Sequence, residues 1–341
     1  MTQGFWTEPH VALFARKPRP LVFSIEHAFG VIRSHSPSRY TLVWTESPYL
    51  SEGLVPRIRA MLWARRNQGD VNHVVGDIHF VDLLLSSRRT VLTIHDCEFM
   101  ERAGLARRWL YRWFWLILPI ARAAVVTVPT RAVAEDLRRY ARIDPSRVRV
   151  IPMPVDPVFT RDDRPFRADT PIVLQVGTRS NKNLERVIQA LAGVPCQLLV
   201  MGELSATQRD LLRRYEVAYE AVADLAIEEV AACYRRADLV VFASTEEGFG
   251  LPVIEAQATG RPVVTSNRPP MSDVAGAGAL LVDPCDVVSI GEGIRRVIRD
   301  ADLRERMVSA GLANVRRFDP GAVAEAFASV YDEVLTSASR S

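Results

Sequence analysis

The chain has 341 residues, which is enough for two domains of ordinary size. Its formal net charge of +3 is small for this length and no long Lys/Arg block occurs, so we expect no nucleic-acid partner. Four cysteines lie far apart without a CxxC pair, which argues against structural zinc and a disulfide framework. The start, MTQGFWTEPH, lacks the pattern of a signal peptide. These features predict a globular protein of the cytoplasm.

Short apolar runs alternate with helical patterns along the whole chain, which is typical of a parallel α/β architecture. Continuous Val/Ile/Leu runs predict strands that are buried on both faces. The predicted strands are 11–15, 42–44, 71–75, 91–95, 124–128, 148–152, 172–177, 197–202, 239–244, 262–267 and 279–283. Helix caps are predicted at Ser24, Thr130, Asn183 and Asp224, the last three for helices that end near Arg139, Gly193 and Arg236.

Two such sets of elements predict two doubly wound, Rossmann-like domains. The joint between them is 152–171, which holds five prolines and many charges without an apolar period. We assign 1–155 to an N-terminal Rossmann-like domain and 156–320 to a C-terminal Rossmann-like domain. An amphipathic helix is predicted over 320–336, and we expect the tail 321–341 to cross back to the N-terminal domain.

The most apolar segment is WLYRWFWLILPI, residues 109–120. It is too short to span a bilayer, which needs ~20 residues, and Arg112 interrupts it. Packing of a helix into a domain core explains it. Its tryptophans, together with Arg107, Arg108 and Arg112, also suit peripheral contact with a membrane surface, and both readings stay open.

The stretch STEEGFGLPVIEAQATGRPVVTSN, residues 244–267, places two carboxylates, Glu247 and Glu255, on either side of a glycine-containing turn. Ligands of open parallel sheets bind beyond the carboxyl ends of the strands, where this turn must lie. Gly248 and Gly250 let the backbone approach a ligand closely. The helix that follows would offer free amides to a phosphate, and Glu255 would suit a vicinal diol such as a ribose. An ordinary strand–loop–helix junction explains the spacing equally well.

The full string EGFGLPVIEAQATGRPVV closely resembles the E-x7-E segment of retaining glycosyltransferases of family 4. These enzymes have the α/β GT-B fold, in which two Rossmann-like domains face each other across a cleft. Other segments match in order: TIHD (93–96), VIPMPVDPVF (150–159) and VGTRSNKNLERVIQAL (176–191). The resemblance covers nearly the whole chain. It implies an enzyme that transfers a sugar from a nucleotide donor, with residues 1–155 as the acceptor-binding domain and 156–320 as the nucleotide-sugar-binding domain.

The resemblance also implies a role for individual residues. Lys182 and Arg179 would contact the diphosphate, although the loop that carries Arg179 is shorter than the family's usual Arg-Lys-Asn form. Glu255 would bind the ribose and Glu247 the donor sugar. His95 would hydrogen-bond the donor sugar near the reacting carbon. The backbone around the donor would come from Gly177, Gly248, Phe249, Gly250 and Leu251.

Departure of a nucleoside diphosphate leaves negative charge that a metal or fixed cations must stabilise. Metal-dependent sugar transferases often use Asp-x-Asp, and the donor segments above carry none. We therefore expect no metal site and assign the charge to Lys182 and Arg179. Retention of configuration is implied by the resemblance, with front-face attack, proton transfer to the departing phosphate and no covalent intermediate on a carboxylate.

The acceptor side departs from the family. The loop after the first strand, 16–29, lacks the glycines that family members usually carry there. Its basic residues Arg16, Lys17 and Arg19 suit a phosphate-bearing, lipid-linked acceptor, or a solvated loop equally well. A second candidate edge of the site is VVGDIHF, with Gly76, Asp77 and His79.

The leading expectation is a metal-independent, retaining hexosyltransferase. It would move a mannose- or glucose-type hexose from a UDP- or GDP-sugar to a glycan or lipid-linked acceptor, in cell-surface polysaccharide or glycoconjugate biosynthesis. No separate cofactor is expected, and the location would be cytoplasmic, with an association at the inner face of the membrane. A sugar-nucleotide epimerase of the same fold and a non-catalytic nucleotide-sugar-binding partner stay open as alternatives.

Overall fold

The computed structural model describes residues 8–17, 24–97, 100 and 112–339. The chain divides into two compact units. The first comprises Met1–Pro154 with Pro320–Ser341, and the second comprises Val155–Asp319. Within the described ranges, no helix is both long enough and apolar enough to cross a membrane.

The first unit is built on a six-stranded parallel sheet. All six predicted strands are present, with ends that shift by one or two residues. Their spatial order is β2-β1-β3-β4-β5-β6. The connection after β1 therefore runs to β2 on one side, and the connection after β3 runs to β4 on the other. The strands are β1 His10–Ala15, β2 Thr41–Glu46, β3 Val71–Val74, β4 Thr90–Thr93, β5 Val125–Val128 and β6 Val148–Val150.

Helices cover the sheet of the first unit. Thr130 caps its helix as predicted, because its Oγ1 accepts a hydrogen bond from the amide of Val133 at 3.2 Å. The labelled helices are α1 Ser24–Ser34, α2 Leu54–Arg66, α3 Leu118–Arg122 and α4 Arg131–Tyr140. Shorter elements are the 3₁₀ helices His79–Leu84, Ser87–Arg89 and Pro145–Arg147 and the π-helix Arg112–Ile117.

The aromatic segment 109–120 shows features of both expectations. Residues 107–111 lie outside the described ranges, so the contacts of Arg107 and Arg108 are not part of this description. From Arg112 onward the segment forms the π-helix and α3. Leu116 and Ile120 are buried in the core, whereas Trp113 and Phe114 are exposed.

The C-terminal helix, Pro320–Ser339, packs on the first unit through buried polar contacts. The Tyr331 hydroxyl lies 2.8 Å from His73 Nδ1, and His73 Nε2 lies 2.7 Å from the Thr93 hydroxyl. Burial lowers the pKa of His73 to about 3, so the ring is neutral and uses one nitrogen to donate and the other to accept. Tyr40 donates to Asp332 at 2.6 Å. This network joins the helix to the central strands.

Asp82 is a fully buried carboxylate in the 3₁₀ helix His79–Leu84. Neither of its oxygens has a hydrogen-bond partner among the described residues. Loss of solvent raises the pKa of Asp82 to about 7, although the nearby guanidinium groups of Arg122 and Arg147 oppose the shift. The fold therefore holds a proton on this carboxyl group more tightly than the unfolded chain does.

We expect Asp82→Asn to stabilise the protein in a pH-dependent way. Above pH 7 the ionisable group costs folding free energy, because the unfolded chain has its carboxylate in water. The cost shrinks as pH falls from about 7 towards the unfolded value near 4, since both states are protonated there. Urea denaturation should show a gain on the order of 2–4 kcal/mol at pH 8, at about 1.4 kcal/mol per pKa unit, and almost none near pH 4.

Asp169→Asn is the control, because Asp169 is exposed and its replacement removes a carboxylate that is not buried. A gain for Asp82→Asn that is the same at every pH, or a loss at pH 8, would contradict the raised pKa of Asp82.

The second unit contains another six-stranded parallel sheet, in the order β12-β11-β10-β7-β8-β9. Five of its strands were predicted. The sixth, Ala218–Val222, was missed because it is an edge strand with the mixed sequence AYEAV and few buried side chains. The strands are β7 Ile172–Val176, β8 Gln197–Met201, β9 Ala218–Val222, β10 Leu239–Phe242, β11 Val263–Ser266 and β12 Ala279–Val282.

The helices of the second unit follow the predicted pattern with two corrections. The helix predicted to be capped at Asp224 begins at Ile227, because Asp224 lies in a turn with φ of 54°. The helix predicted to end near Gly193 ends at Ala190. The helices are α5 Leu184–Ala190, α6 Ala206–Arg214, α7 Ile227–Arg236, α8 Leu251–Ala258, α9 Met271–Ala275, α10 Val287–Arg299 and α11 Ala301–Val315.

Candidate functional site

The main polar cluster lies at the carboxyl edge of the second sheet, where β7 and β10 are neighbours. The connection after β7 runs to β8 on one side, and the connection after β10 runs to β11 on the other. Loops that leave adjacent strands in opposite directions open a crevice, and ligands of doubly wound sheets bind there. The two loops are 177–183 and 243–250, which carry most of the residues predicted for the donor.

Hydrogen bonds hold these two loops together. The amide of Thr245 donates to the carbonyl of Asn181 at 2.9 Å. In return, the side-chain amide of Asn181 donates to the carbonyl of Glu246 at 3.1 Å and lies 3.4 Å from Glu247 Oε1. The two loops thus form one surface, although they are more than 60 residues apart in the sequence.

The side chain of Asn183 joins neighbouring loops by hydrogen bonds and does not cap a helix. Its backbone has φ of 63°, and its side chain makes no cap hydrogen bond to α5. Its Nδ2 instead donates to the carbonyls of Ala243 at 2.8 Å and Pro284 at 2.7 Å. This corrects the prediction of a side-chain cap, and the asparagine is a cross-link between neighbouring loops.

Lys182 and Glu247 form an ion pair at the centre of this surface. Lys182 Nζ lies 2.6 Å from Glu247 Oε1, with side chains that are only 21% and 12% exposed. The ammonium also lies 4.8 Å from the centre of the Phe242 ring. Gln175, a buried amide inside β7, donates to the carbonyl of Lys182 at 2.9 Å and fixes the backbone beneath the pair.

Gly177 makes room for the lysine stem. It follows β7 with φ of +85°, which an L residue adopts only with strain. A Cβ at this position would lie 2.9 Å from Lys182 Cγ and 3.3 Å from Cε. The glycine is therefore required both by the backbone turn and by the path of the Lys182 side chain.

The turn from Gly248 to Leu251 leads into α8. Gly250 is the N-cap residue of α8, with φ of +101°, and Pro252 occupies the first turn. The ring of Phe249 is buried and packs edge-on against Phe318, with 5.6 Å between the ring centres. The amides at the start of a helix have no partner within the helix, so this anchored turn presents the positive end of α8 at the edge of the sheet.

Glu255 is held in place by a residue that the sequence did not reveal. The hydroxyl of Tyr234 in α7 donates to Glu255 Oε2 at 2.5 Å. Burial, and then the charge of Glu255, raise the pKa of Tyr234 well above its ordinary value, so the phenol stays neutral and remains a donor. Tyr234 carries no signal in the sequence, since the string AACYRR reads only as part of an amphipathic helix.

Arg179 does not join this cluster. It is exposed, and its guanidinium makes no side-chain hydrogen bond or ion pair within the described part of the chain. Its carbonyl accepts a hydrogen bond from the amide of Lys182 at 2.8 Å, so the two residues share a tight turn. The structure brings Lys182 and Glu247 together and leaves Arg179 at the rim.

A second polar cluster lies in the first unit, at the corresponding position between β1 and β3. Arg16 is buried after β1, with Nε 2.9 Å from Glu26 and Nη1 2.9 Å from Asp77. Two carboxylates therefore neutralise this arginine, which weakens its expected role in binding phosphate. Lys17 is exposed, and Arg19 lies outside the described ranges.

His95 lies two residues beyond the end of β4, at the same edge of the first sheet. Its Nε2 lies 2.8 Å from the carbonyl of Val75 and donates to it, which leaves Nδ1 on the other side of the ring. Phe29 packs edge-on against the ring. His79 points elsewhere, because its Nδ1 lies 2.9 Å from the carbonyl of Trp115, and burial lowers its pKa.

The described ranges hold no group of three or more potential metal-ligating side chains. An Asp-x-Asp triplet does occur in the chain, from Asp300 to Asp302. Its first carboxylate accepts a hydrogen bond from the amide of Leu303 at 2.8 Å and caps α11, so the triplet acts as a helix start.

Two protein families match successive parts of the chain. Residues 8–159 match Glycosyltransferase Family 4, and residues 159–313 match Glycosyl transferases group 1. Together these matches run through both units almost without interruption.

Curated relatives match over parts of their length. O-antigen chain mannosyltransferase B of Escherichia coli is 38% identical over 91 residues, which is 27% of this chain and 24% of the relative. D-inositol 3-phosphate glycosyltransferase of Xylanimonas cellulosilytica is 29% identical over 242 residues, 62% of this chain and 57% of the relative. A phosphatidyl-myo-inositol mannosyltransferase of Mycobacterium tuberculosis is 32% identical over 165 residues, 46% and 43% of the two chains. The matched stretches thus span less than two thirds of each of these relatives.

Solved structures match over nearly the whole chain. HepE of Anabaena, solved in complex with UDP and glucose, has a TM-score of 0.79 at 16% identity and covers 96% of this chain and 100% of its own. Sucrose-phosphate synthase of Thermosynechococcus elongatus has a TM-score of 0.76 at 18% identity, with 96% and 100% covered. At this identity the likeness shows the fold.

The two parallel sheets, with a polar cluster at the switch point of each, define a two-domain α/β protein of the GT-B fold. The chain belongs to the family 4 type of glycosyltransferases, since the two family models match residues 8–159 and 159–313 in succession. The fold class and the family expected from the sequence are confirmed.

Proposed function

We propose that the protein is a metal-independent, retaining hexosyltransferase. It moves a mannose- or glucose-type hexose from a UDP- or GDP-sugar to a glycan or lipid-linked acceptor, in cell-surface polysaccharide or glycoconjugate biosynthesis. A cytoplasmic location at the inner face of a membrane belongs to the same proposal. The observation that carries it is the Lys182–Glu247 pair at the switch point of the second sheet, beside the start of α8.

The charges of this surface fit a nucleoside diphosphate. Lys182 supplies a fixed ammonium, and the first amides of α8 supply the positive end of a helix. Groups that are already oriented stabilise charge developing on a leaving diphosphate without reorganisation. Arg179, on the same turn, adds a second positive charge from the rim. These groups take the place that a divalent ion has in metal-dependent transferases.

The two carboxylates serve the sugars of the donor. Glu255, fixed by Tyr234, is placed to accept hydrogen bonds from a ribose diol. Glu247 contacts the transferred hexose and orients Lys182. Glu247 is engaged by an ammonium, which makes it a weak nucleophile and favours front-face attack, with the departing phosphate taking the proton of the acceptor. The mannosyltransferases among the relatives support a mannose-type hexose, and the UDP and glucose in HepE support a UDP-linked, glucose-type donor.

We assign the acceptor to the first unit. The side chain of Asp77 is 53% exposed and one of its oxygens is held by Arg16, so it offers a positioned carboxylate to an acceptor hydroxyl. His95, whose Nε2 is fixed by the carbonyl of Val75, belongs to the same edge and binds the hexose near the reacting carbon. We accordingly propose that the first unit binds the acceptor and the second binds the donor.

The function is tested by product formation without a metal. Thermal-shift measurements of the full chain against UDP, GDP and their hexose conjugates should identify the base, since a bound ligand stabilises the fold. With that donor and an extract of membrane glycolipids, the chain should release the nucleoside diphosphate and form a new glycoside. EDTA should leave this rate unchanged.

The alternatives have different signatures. An epimerase would isomerise the sugar and form no glycoside. A non-catalytic partner would bind the donor and release no diphosphate with any acceptor extract. A rate that EDTA abolishes and Mg²⁺ or Mn²⁺ restores would overturn the role given to the fixed cations.

A further inference from the structure

Helix α2 exposes large apolar side chains that the core does not use. Its residues Leu54, Val55, Ile58 and Leu62 are 73%, 58%, 46% and 43% exposed. Val55, Ile58 and Leu62 follow the three- and four-residue spacing of one helix face. Leu50, just before the helix, is 47% exposed as well. We call Leu54, Val55, Ile58 and Leu62 the α2 face.

The side of α2 that packs on the first unit carries mainly small residues and a tryptophan, and not the large aliphatic residues of the helix. The helix buries its small residues, Ala60 and Ala64, against the first unit. Trp63 packs edge-on against Phe14, with 5.7 Å between the ring centres. An ordinary surface helix places its large aliphatic residues towards the core, whereas α2 places them outward.

The charges on helix α2 itself have one sign, although Glu52 lies just before its start. Helix α2 contains Arg57, Arg59, Arg65 and Arg66 and no Asp or Glu. Arg59, Arg65 and Arg66 are exposed. Two copies of this chain meeting through α2 would bring together like charges with no acid on the helix to compensate, which disfavours a dimer through this face. A surface of anionic lipid headgroups complements both the arginines and the aliphatic side chains.

Aromatic residues lie beside the helix. The guanidinium of Arg57 lies over the ring of Trp115, 4.5 Å from its centre, and so joins α2 to the π-helix Arg112–Ile117. That π-helix exposes Phe114 and Trp113, at 44% and 38%. Aromatic side chains of this kind settle at the level of lipid headgroups.

We propose that α2 is the membrane-docking element of the protein and lies flat in the headgroup region of an anionic bilayer. Its aliphatic face enters the acyl boundary, and its arginines contact lipid phosphates. This inference deepens the membrane location that forms part of the proposed function, and it rests on the proposed function only in that respect. Binding of α2 to a bilayer does not depend on the transfer reaction.

Sedimentation of the full chain with vesicles tests the proposal. Vesicles of phosphatidylcholine with 30% phosphatidylglycerol should bind the protein at least tenfold more strongly than pure phosphatidylcholine. Binding should weaken as salt rises from about 50 to 500 mM, because screening acts on exposed charges. The pair Ile58→Ser with Leu62→Ser should lower binding at least tenfold, and Arg59→Gln with Arg65→Gln should lower it and reduce the dependence on salt.

A matched control is the pair Leu281→Ser with Val288→Ser. These apolar residues of the second unit are 42% and 62% exposed, and their loss should leave vesicle binding unchanged. Circular dichroism and thermal melts check that each variant is folded, and diphosphate release with a soluble acceptor reports the transfer reaction separately. Normal vesicle binding by Ile58→Ser with Leu62→Ser, or a dimer in light scattering that only this variant loses, would overturn the proposal.

Discussion

Lys182→Ala is expected to lower the rate of transfer by about a hundredfold to a thousandfold, which is the usual cost of one charge-stabilising group at a leaving oxyanion. Lys182 is the cation nearest to the centre of the donor surface, 2.6 Å from Glu247. Its removal takes away the charge that stabilises the departing diphosphate, and it leaves Glu247 without its ammonium partner. Both changes act on the transition state, so kcat should fall more than KM rises.

The measurement is release of the nucleoside diphosphate under saturating donor. Arg179→Ala is the matched control, because it removes from the same turn a cation whose side chain makes no hydrogen bond or ion pair within the described ranges. Its effect should be several-fold smaller. Thermal melts should show that Lys182→Ala stays folded, with a loss of about 3 kcal/mol, because the largely buried Glu247 is left without its ammonium partner. Near-normal turnover of a folded Lys182→Ala would remove the central group from the proposed mechanism.

Much of the fold could be predicted because the strands of a parallel sheet are buried on both faces and therefore appear in the sequence as continuous apolar runs. The strand ending at Phe242 is such a run, and the strand ending at Val176 is interrupted only by the buried Gln175; the two lie side by side in the sheet. The edge strand Ala218–Val222 was not predicted, because one of its sides has no neighbouring strand and its sequence mixes apolar and polar residues. Edge strands carry little of the burial that makes a pattern visible.

Individual residues of the candidate site could be predicted from the sequence, but the contacts between them could not. The turn after β10 and the turn after β7 each resemble a family segment, which identified Glu247 and Lys182. That the two side chains meet follows from the order of the strands, which no local pattern records. Tyr234 was missed because its partner, Glu255, lies on another helix, and a tyrosine within an amphipathic helix is usually a core residue.

Gly177→Ala is expected to disable transfer through Lys182 without touching any charged group. The added Cβ would lie 2.9 Å from Lys182 Cγ, so the lysine stem must move. Displacement of a positioned group by about 1 Å can cost on the order of a hundredfold in rate, and we expect a loss between tenfold and a hundredfold. The backbone strain at φ of +85° should also lower the unfolding free energy by about 1–2 kcal/mol.

Gly193→Ala separates these two effects. Gly193 has φ of +69° and no heavy atom within 4 Å of the added Cβ, so it carries the strain without the collision. Denaturant unfolding should show similar losses for both variants, while only Gly177→Ala loses turnover. If Gly177 acts through the lysine, adding Gly177→Ala to Lys182→Ala should cost little further activity, because the two changes then remove the same interaction. Full additivity in this cycle would show that the glycine serves the donor site by a separate route, such as the backbone conformation of its own turn.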